Sequence, residues 1–267
     1  MKLIFLDIDG TIVSFGHRFP SSSTVNAIKE AQKNGHKVFL NTGRCRCEVN
    51  KELEAIGFDG IICSNSLYIE ENKVCLLKKD MPSQTVKEVS DWLSSQNVGF
   101  FFEGHYSVMA TKLYFEQMES RFGAESILRM KEGFPVIKES CLSYDDVGKI
   151  NFLSQPSFYK KLKKEFGSVF QINEWSFLGD DKGMGEITLL EASKAEGVKF
   201  MLERHCAKKE DTISFGDTKG DLSMIKFCET GVAMGNAEKE LKEAANYITN
   251  DVDDNGIEKA FSHFGLI

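Results

Sequence analysis

The chain has 267 residues, of which 42% are hydrophobic, and this is enough to bury one large core or two ordinary ones. Its formal net charge of −7 argues against a nucleic-acid partner, because neutralising a phosphate backbone requires clustered Lys and Arg. Only four apolar residues separate Lys2 from Asp7, and no later stretch is long enough to span a bilayer, so we expect a cytoplasmic protein without a membrane partner.

Short apolar runs alternate with helical patterns in the first third of the chain. The patterns predict strands at 3–8, 36–41 and 59–63, with helices at 23–34 and 48–56 between them. This order is typical of a parallel sheet with crossover helices.

The middle of the chain has a different pattern, which predicts an inserted α+β cap domain at 82–184. The predicted elements are helices at 86–93, 113–121 and 159–166, a hairpin at 98–110, and strands at 149–153 and 168–173. We interpret the Gly- and Asp-rich stretch at 179–185 as the linker back to the first domain. It lacks the Gly-Lys-Ser/Thr ending of a phosphate-binding loop, so we predict only a flexible connection.

The alternating pattern returns at the end of the chain. It predicts strands at 212–215, 230–234 and 247–249, with helices at 221–227, 237–244 and 256–263. We therefore expect both ends, residues 1–81 and 185–267, to build one α/β domain with a Rossmann-like parallel sheet.

Two carboxylates stand where the first predicted strand ends, in the stretch FLDIDGT. The two-residue period of a strand places Asp7 and Asp9 on one side, and parallel sheets bind ligands at the carboxyl ends of their strands. A turn cap and a solvated acid would be the plain alternative. The five-residue pattern Asp-x-Asp-Gly-Thr on the first strand of an α/β domain favours a catalytic site.

Two other predicted strand ends carry polar groups that suit a phosphate or a metal. In NTGR, the Thr42 hydroxyl and the Gly43 amide suit a phosphate, although an ordinary helix cap has the same residues. In GDTKGD, Asp217 and Asp221 add two more acids, and Asp221 alone could be a first-turn acid. Four carboxylates are thus expected at one edge of the sheet.

Such a group of acids requires a cation. Two unit charges 4 Å apart repel by roughly 4 kcal/mol at an effective dielectric constant near 20. Mg²⁺ prefers oxygen ligands and commonly bridges carboxylates to a substrate phosphate. One Asp can then attack phosphorus to form an acyl-phosphate, while a neighbouring acid protonates the leaving oxygen and later activates water.

These motifs resemble those of the haloacid dehalogenase-like superfamily, and within it the Cof-type sugar phosphatases with a large α+β cap of the C2B type. The resemblance of DIDGT implies that Asp7 is the nucleophile and a Mg²⁺ ligand. It implies that Asp9 is the general acid and base, and that its backbone carbonyl also binds the metal.

The resemblance extends to the other motifs. NTGR implies that Thr42, with Gly43, binds the transferring phosphoryl group, and GDTKGD implies Asp217 as a metal ligand and Asp221 as a ligand or its partner. EASKAEGV implies that Lys194 neutralises the nucleophile and the phosphate, although a lysine in an isolated helix is usually solvated. The supporting residues implied by the resemblance are Gly10, Thr11, Asn65 and Asn236.

The chain departs from the family pattern at two positions. Gly220 stands where the fourth motif usually has Asn, so a side-chain amide near the metal or phosphate is missing. At the third strand end Asn65 is retained, but Ser66 replaces the usual glycine.

The sequence therefore predicts a Mg²⁺-dependent phosphatase of small phosphorylated metabolites, with sugar phosphates as the class that the resemblance implies. A cap that closes over the organic part would exclude water in the first step. The alternatives are a phosphosugar mutase and a catalytically decayed phosphate-binding regulatory module. Carbon–halogen hydrolysis is disfavoured because Asp9 would have no leaving oxygen to protonate. The oligomeric state stays open.

The seven cysteines are an odd number without paired zinc-type spacing, which indicates reduced thiols. Cys45 and Cys47 form the one close pair. We interpret them as ordinary thiols at a helix start, because no second Cys or His cluster is available to complete a metal site.

Overall fold

The computed structural model describes residues 1–125, 136–137, 143–174 and 183–267. In it the chain folds into two compact units. The first unit comprises Met1–Arg44, Val49–Lys78 and Ser193–Ile267. The second unit comprises Cys45–Glu48 and Lys79–Ala192.

The described residues form the following strands and α-helices. The strands are β1 (Leu3–Leu6), β2 (Lys37–Asn41), β3 (Gly60–Cys63), β4 (Tyr68–Glu71), β5 (Val74–Lys78), β6 (Gly99–Glu103), β7 (Val108–Ala110), β8 (Val136–Ile137), β9 (Lys149–Leu153), β10 (Phe170–Glu174), β11 (Met184–Leu189), β12 (Thr212–Gly216), β13 (Thr230–Ala233) and β14 (Tyr247–Ile248). The helices are α1 (Ser22–Lys33), α2 (Lys51–Glu54), α3 (Ser83–Ser95), α4 (Lys112–Phe122), α5 (Pro156–Phe166), α6 (Lys194–Arg204), α7 (Leu222–Phe227), α8 (Lys239–Ala244) and α9 (Gly256–His263).

The first unit contains an eight-stranded sheet in the order β14-β13-β12-β1-β2-β3-β4-β5. The six strands from β14 to β3 run parallel, and β4 and β5 are antiparallel additions at one edge. All four residues of β1 are buried, as expected for a parallel strand covered on both faces. The predicted α/β class with a parallel-sheet core is confirmed.

Local sequence explains how the crossover helices begin and end. The hydroxyl of the N-cap Ser21 accepts a hydrogen bond from the Thr24 amide, which satisfies a free donor at the start of α1. Gly35 follows the helix with a φ of 86°, a conformation that glycine adopts without strain. Between these ends, Ile28 and its neighbouring alanines pack into the core of the sheet.

The second unit contains a separate six-stranded sheet in the order β10-β11-β9-β6-β7-β8, in which only the β7–β8 pair is parallel. Side chains alternate along its central strands. Phe102, Ile150 and Phe152 join α3 and α5 in one hydrophobic cluster. The alternate positions face the other side of the sheet, where Glu103 and Lys149 form a polar group and Phe101 and Leu153 belong to a second hydrophobic cluster.

The structure differs from the sequence-based expectation at several positions. Cys45–Glu48, which we expected in the first domain, belong to the second unit, and the short strand β8 was not predicted. The hairpin of β4 and β5 was not predicted, and it extends the first sheet. Residues 184–189 form β11 of the second sheet, whereas we expected residues from 185 onward in the first domain. Of the predicted linker at 179–185, residues 179–182 lie outside the described part of the chain. No helix among the described residues is both long and apolar enough to cross a membrane.

A buried charge cluster surrounds Lys149 in the second sheet. The Lys149 ammonium lies 2.6 Å from a Glu103 carboxylate oxygen and 3.4 Å from one of Glu186, and the Asn151 amide donates to Glu103 at 2.8 Å. Burial raises the pKa of Glu103 to about 8, although Lys149 acts to lower it. The Glu103 carboxylate therefore depends on Lys149 to remain ionised in this buried position.

We predict that Lys149→Met lowers the free energy of unfolding by about 3–5 kcal/mol, because it leaves the Glu103 carboxyl buried without its cation. Urea unfolding would measure the loss. The matched control is Lys87→Met, which removes an exposed i,i+4 partner of Asp91 and should leave the unfolding midpoint in place. Equal midpoints for wild type and Lys149→Met would contradict the prediction.

Candidate active site

Asp7 and Asp9 follow β1 and have different surroundings. The Asp7 amide donates to the Phe215 carbonyl at 3.2 Å, which ties this position to β12, and the Asp7 side chain is buried. The Asp9 side chain is about half exposed and accepts two hydrogen bonds from Arg44, at 2.8 Å from Nε and 2.5 Å from Nη2. This bidentate arrangement fixes the orientation of the Asp9 carboxylate.

Glycine is required at position 10 because the Asp217 carboxylate lies against its backbone. Its φ is 78°, and a Cβ at this position would lie 2.0 Å from the Asp217 Oδ2 atom. The Thr11 hydroxyl reaches the other oxygen of Asp217 at 3.4 Å. The Asn236 amide donates to the Gly10 carbonyl at 2.8 Å and accepts from the Val252 amide at 3.0 Å, so it holds this loop from the far end of the chain.

Asp221 organises the loop after β12. Its Oδ2 atom accepts the amides of Asp217 and Thr218, each at 3.0 Å. Gly216 makes room for it, because a Cβ there would lie 2.4 Å from the Asp221 Cβ. Gly220, in contrast, has open space beside it: a Cβ would meet only the Thr218 hydroxyl, at 3.5 Å. The structure therefore presents no steric reason for glycine at this position.

Lys194 lies between two acids from different strand ends. It is the first residue of α6, after the N-cap Ser193, and it is 4% exposed. Its ammonium donates to Asp7 Oδ1 and to Asp221 Oδ1, each at 2.5 Å. The Asn41 amide at the end of β2 donates to the Lys194 carbonyl at 2.9 Å and fixes the start of the helix.

The pKa values reflect this crowding. Burial and the Asp221 carboxylate raise the pKa of Asp7 to about 7, against the lowering effect of Lys194. Burial, with the charges of Asp7 and Asp221, raises the pKa of Asp217 to about 8. Burial alone would lower the pKa of Lys194, but Asp221 and Asp7 raise it above its ordinary range. The lysine therefore stays charged while the carboxylates lack a full set of counter-charges.

Thr42 and Gly43 lie at the carboxyl end of β2. The Thr42 side chain is buried, and its hydroxyl accepts the Arg44 amide at 3.2 Å. Asn65, at the end of β3, donates its amide to the Thr42 carbonyl at 3.2 Å, and its side-chain oxygen lies 3.5 Å from where a Gly43 Cβ would be. The two strand ends are thus tied together.

Ser66, which replaces the glycine of the family pattern, connects β3 to α6. Its hydroxyl donates to the Ser193 carbonyl at 2.7 Å and accepts the Gly197 amide at 2.8 Å. The Ser193 amide in turn donates to the Asn65 carbonyl at 2.8 Å. Ser66 therefore helps to hold the first turn of the helix that carries Lys194.

Arg44 is the residue of this region that our sequence reasoning did not select. Its signal was the last letter of NTGR, directly after the predicted phosphate-binding pair. Nothing in the sequence indicated a partner 35 positions away in Asp9. The other predicted residues of this motif set all lie in the first unit.

Three carboxylates can hold a cation. Oxygen atoms of Asp7, Asp217 and Asp221 lie within 4.8 Å of one another, and all three residues are buried. This is an all-oxygen donor set of the kind that hard divalent cations prefer. The Asp9 side chain is paired with Arg44 and is not one of the three.

We predict that Mg²⁺ raises the melting temperature more at pH 8 than at pH 6. The folded-state pKa values of Asp7 and Asp217 lie above the ordinary value of 3.8, so without a cation their contribution to stability is lost as pH rises through about 7 to 8. A bound cation offsets that loss where the carboxylates are ionised. Thermal unfolding in Mg²⁺ and in EDTA at both pH values measures the difference.

Asp217→Asn is the matched variant for this prediction. It removes one of the crowded charges, so it should raise the melting temperature in EDTA at pH 8 and diminish the Mg²⁺ effect. Identical Mg²⁺ effects at the two pH values, or in the wild type and the variant, would contradict the assignment of a cation to these acids.

Comparisons with known proteins extend over nearly the whole chain. The profile of the haloacid dehalogenase-like hydrolases matches residues 4–261. "Putative phosphatase YkrA" of Bacillus subtilis (strain 168) is 30% identical over 266 residues, which cover 100% of this chain and 98% of that protein. The pyridoxal phosphate phosphatase YbhA of Escherichia coli (strain K12) is 25% identical over 267 residues, with coverages of 94% and 93%. The solved structure of the HAD subclass IIB sugar phosphatase BT4131 has a TM-score of 0.80 at 28% identity and covers 100% of both chains.

Proposed function

Because the chain belongs to the haloacid dehalogenase-like hydrolases and is a phosphatase, we propose that it uses Mg²⁺ to hydrolyse small phosphorylated metabolites through an aspartyl-phosphate on Asp7. The observation that carries this proposal is the position of Asp7. Its buried carboxylate is held by Lys194, beside Asp217 and Asp221, with Asp9 two residues away.

In the first step, an Asp7 oxygen attacks phosphorus, and the bond between phosphorus and the ester oxygen breaks. Asp9 gives its proton to that leaving oxygen. Lys194 holds the nucleophile in place and neutralises charge next to the phosphoryl group. Thr42 and the Gly43 amide bind the phosphoryl oxygens, because a hydroxyl and a backbone amide both donate to oxyanions.

In the second step, Asp9 acts in the opposite direction. Its carboxylate takes a proton from a water molecule, whose oxygen attacks phosphorus and displaces the Asp7 carboxylate. Inorganic phosphate leaves, and Asp7 and the protonated Asp9 are regenerated. Arg44 positions Asp9 for both proton transfers through its two hydrogen bonds.

The donor set of the site fits Mg²⁺. The residues that would hold it are Asp7, Asp217 and Asp221 with their carboxylates and Asp9 with its backbone carbonyl. When bound, it supplies charge neutralisation for the acids and the phosphate and acts as a Lewis acid on a phosphoryl oxygen. Asn236 and Thr11 support this arrangement by holding the loops of Gly10 and Asp217.

We propose sugar phosphates as the substrate class. The related BT4131 is a sugar phosphatase, and the similarity to its structure extends over the full length of both chains. The second unit, which the sequence predicts as a cap, would then decide among substrates. The name of YbhA shows that a related protein acts on a different organic group, so the phosphate site alone does not set the choice.

The test is phosphate release from a panel of sugar phosphates and other phosphorylated metabolites. We expect selective release with Mg²⁺, loss of release in EDTA, and a fall in turnover of at least about 10⁴-fold for Asp7→Asn, because the nucleophile is removed. Asp91→Asn, at an exposed acid of the second unit, is the matched control and should retain wild-type rates.

Two other results would redirect the proposal. Movement of the phosphoryl group between positions of one sugar, without net release, would favour a mutase. Binding of Mg²⁺ and phosphate without turnover would favour a decayed regulatory module, and Gly220→Asn would then be the first variant to assay for restored activity.

A further inference from the structure

Cys45 and Cys47 lie in the turn directly after Arg44, and their Sγ atoms are 3.2 Å apart. One thiol donates to the other across this gap. A disulfide has a sulfur–sulfur distance of about 2.05 Å, so the two atoms need to approach by only about 1 Å. The sequence pattern C-R-C alone did not indicate this contact, because side chains two positions apart do not ordinarily face each other in a helix.

The two thiols differ in access. Cys45 is fully buried and packs in the second unit with Phe101, Tyr114 and their apolar neighbours. Cys47 is only partly buried, and its thiol also reaches the Gly104 carbonyl at 3.8 Å. A small oxidant can therefore reach Cys47, whereas the Cys45 thiol lies against Cys47 and apolar side chains.

We propose that Cys45 and Cys47 form a reversible redox site, which closes as a disulfide in the presence of a peroxide and reopens with a thiol reductant. The site lies outside the hydrolytic machinery, and the formation of the disulfide does not depend on the proposed function. Its effect on turnover does rest on that function.

The chemistry balances in two steps. The Cys47 thiolate attacks a peroxide oxygen, the O–O bond breaks, and hydroxide leaves, so that Cys47 becomes a sulfenic acid. The Cys45 thiol then attacks the sulfenic sulfur, the S–O bond breaks, and the hydroxyl leaves with the Cys45 proton as water. Two electrons pass from the thiols to the peroxide, and two thiols of a reductant return them.

The surroundings favour this order of attack. The hydrogen bond to Cys47, burial, and the Glu48 and Glu103 carboxylates raise the pKa of Cys45 well above its ordinary value. Cys45 therefore stays a protonated thiol and reacts second. The Glu48 carboxylate also accepts the Cys45 amide at 2.9 Å, which holds the turn in the shape that keeps the two sulfurs close.

Closure of the disulfide would act on the catalytic site through Arg44. The Arg44 amide is bonded to the Thr42 hydroxyl, its carbonyl accepts the Ser64 amide at 2.8 Å, and its guanidinium holds Asp9. A shift of about 1 Å in the adjoining turn is enough to misplace these groups. Misplacement of this size costs on the order of tenfold to a hundredfold in rate.

The experiment treats the full chain with hydrogen peroxide and then alkylates free thiols. Cleavage after lysine gives the peptide 38–51, in which Cys45 and Cys47 are the sole cysteines. We expect this peptide to be unalkylated and lighter by two hydrogen atoms than its fully reduced form. Dithiothreitol should restore two alkylatable thiols. In parallel, phosphate release should fall by roughly tenfold or more after peroxide and recover after reduction.

Three variants make the result specific. Cys47→Ser and Cys45→Ala should each abolish the disulfide, and the rate of phosphate release should then stay unchanged when peroxide is added. Cys47→Ser has the further advantage that it does not change a fully buried side chain. Cys75→Ser, at an exposed cysteine, is the matched control and should behave like wild type.

Other outcomes would overturn the proposal. A peptide 38–51 that is alkylated twice, or oxidised beyond the sulfenic acid, would exclude the disulfide. A disulfide without a change in rate, or an equal loss of rate in Cys47→Ser, would exclude the coupling to Arg44. If the reduced protein releases no phosphate from any substrate, the proposed function fails, and the peptide still decides the redox site.

Discussion

The contact of one lysine with two buried carboxylates is the constraint on which the rest of the site depends. Asp7 and Asp221 come from separate strand ends, and burial of both would be costly without a cation between them. Lys194 supplies that cation from the first turn of α6. Three separate features fix this turn: the Ser193 cap, the Asn41 amide and the Ser66 hydroxyl, and all three lie in the first unit.

The position of the site follows from the parallel sheet. β1, β2 and β12 are adjacent, so the residues after them are brought to one edge although they are far apart in the chain. The residues that follow the apolar runs could therefore be assigned to the site from the sequence. This reasoning predicted Asp7, Thr42 and Asp217 as neighbours. Lys194 could be selected only from its motif, because a lysine at a helix start is usually solvated.

Pairings between distant side chains account for much of what the sequence could not predict. The Arg44–Asp9 pair and the contacts of Ser66 depend on loop geometry. The strand β4 was missed because it contains two consecutive buried acids, Glu70 and Glu71, and an acidic pair does not resemble a buried strand. Arg204 pairs with Glu71 at 2.6 Å, which makes that burial tolerable. The strand β11 has an ordinary strand pattern, but only its pairing with β9 and β10 decides its sheet.

The most direct test of the account is to trap the phosphoryl group on the protein. We would mix an aryl phosphate that the protein hydrolyses, whose leaving oxygen needs no proton from Asp9, with the wild type and with Asp9→Asn. The reaction would be quenched in acid, and the tryptic peptide 3–18 examined by tandem mass spectrometry. The account predicts one added phosphoryl group on Asp7, with more of it in Asp9→Asn, because the second step then lacks its base. An unmodified Asp7 during measured turnover, or a phosphoryl group on another residue, would contradict it.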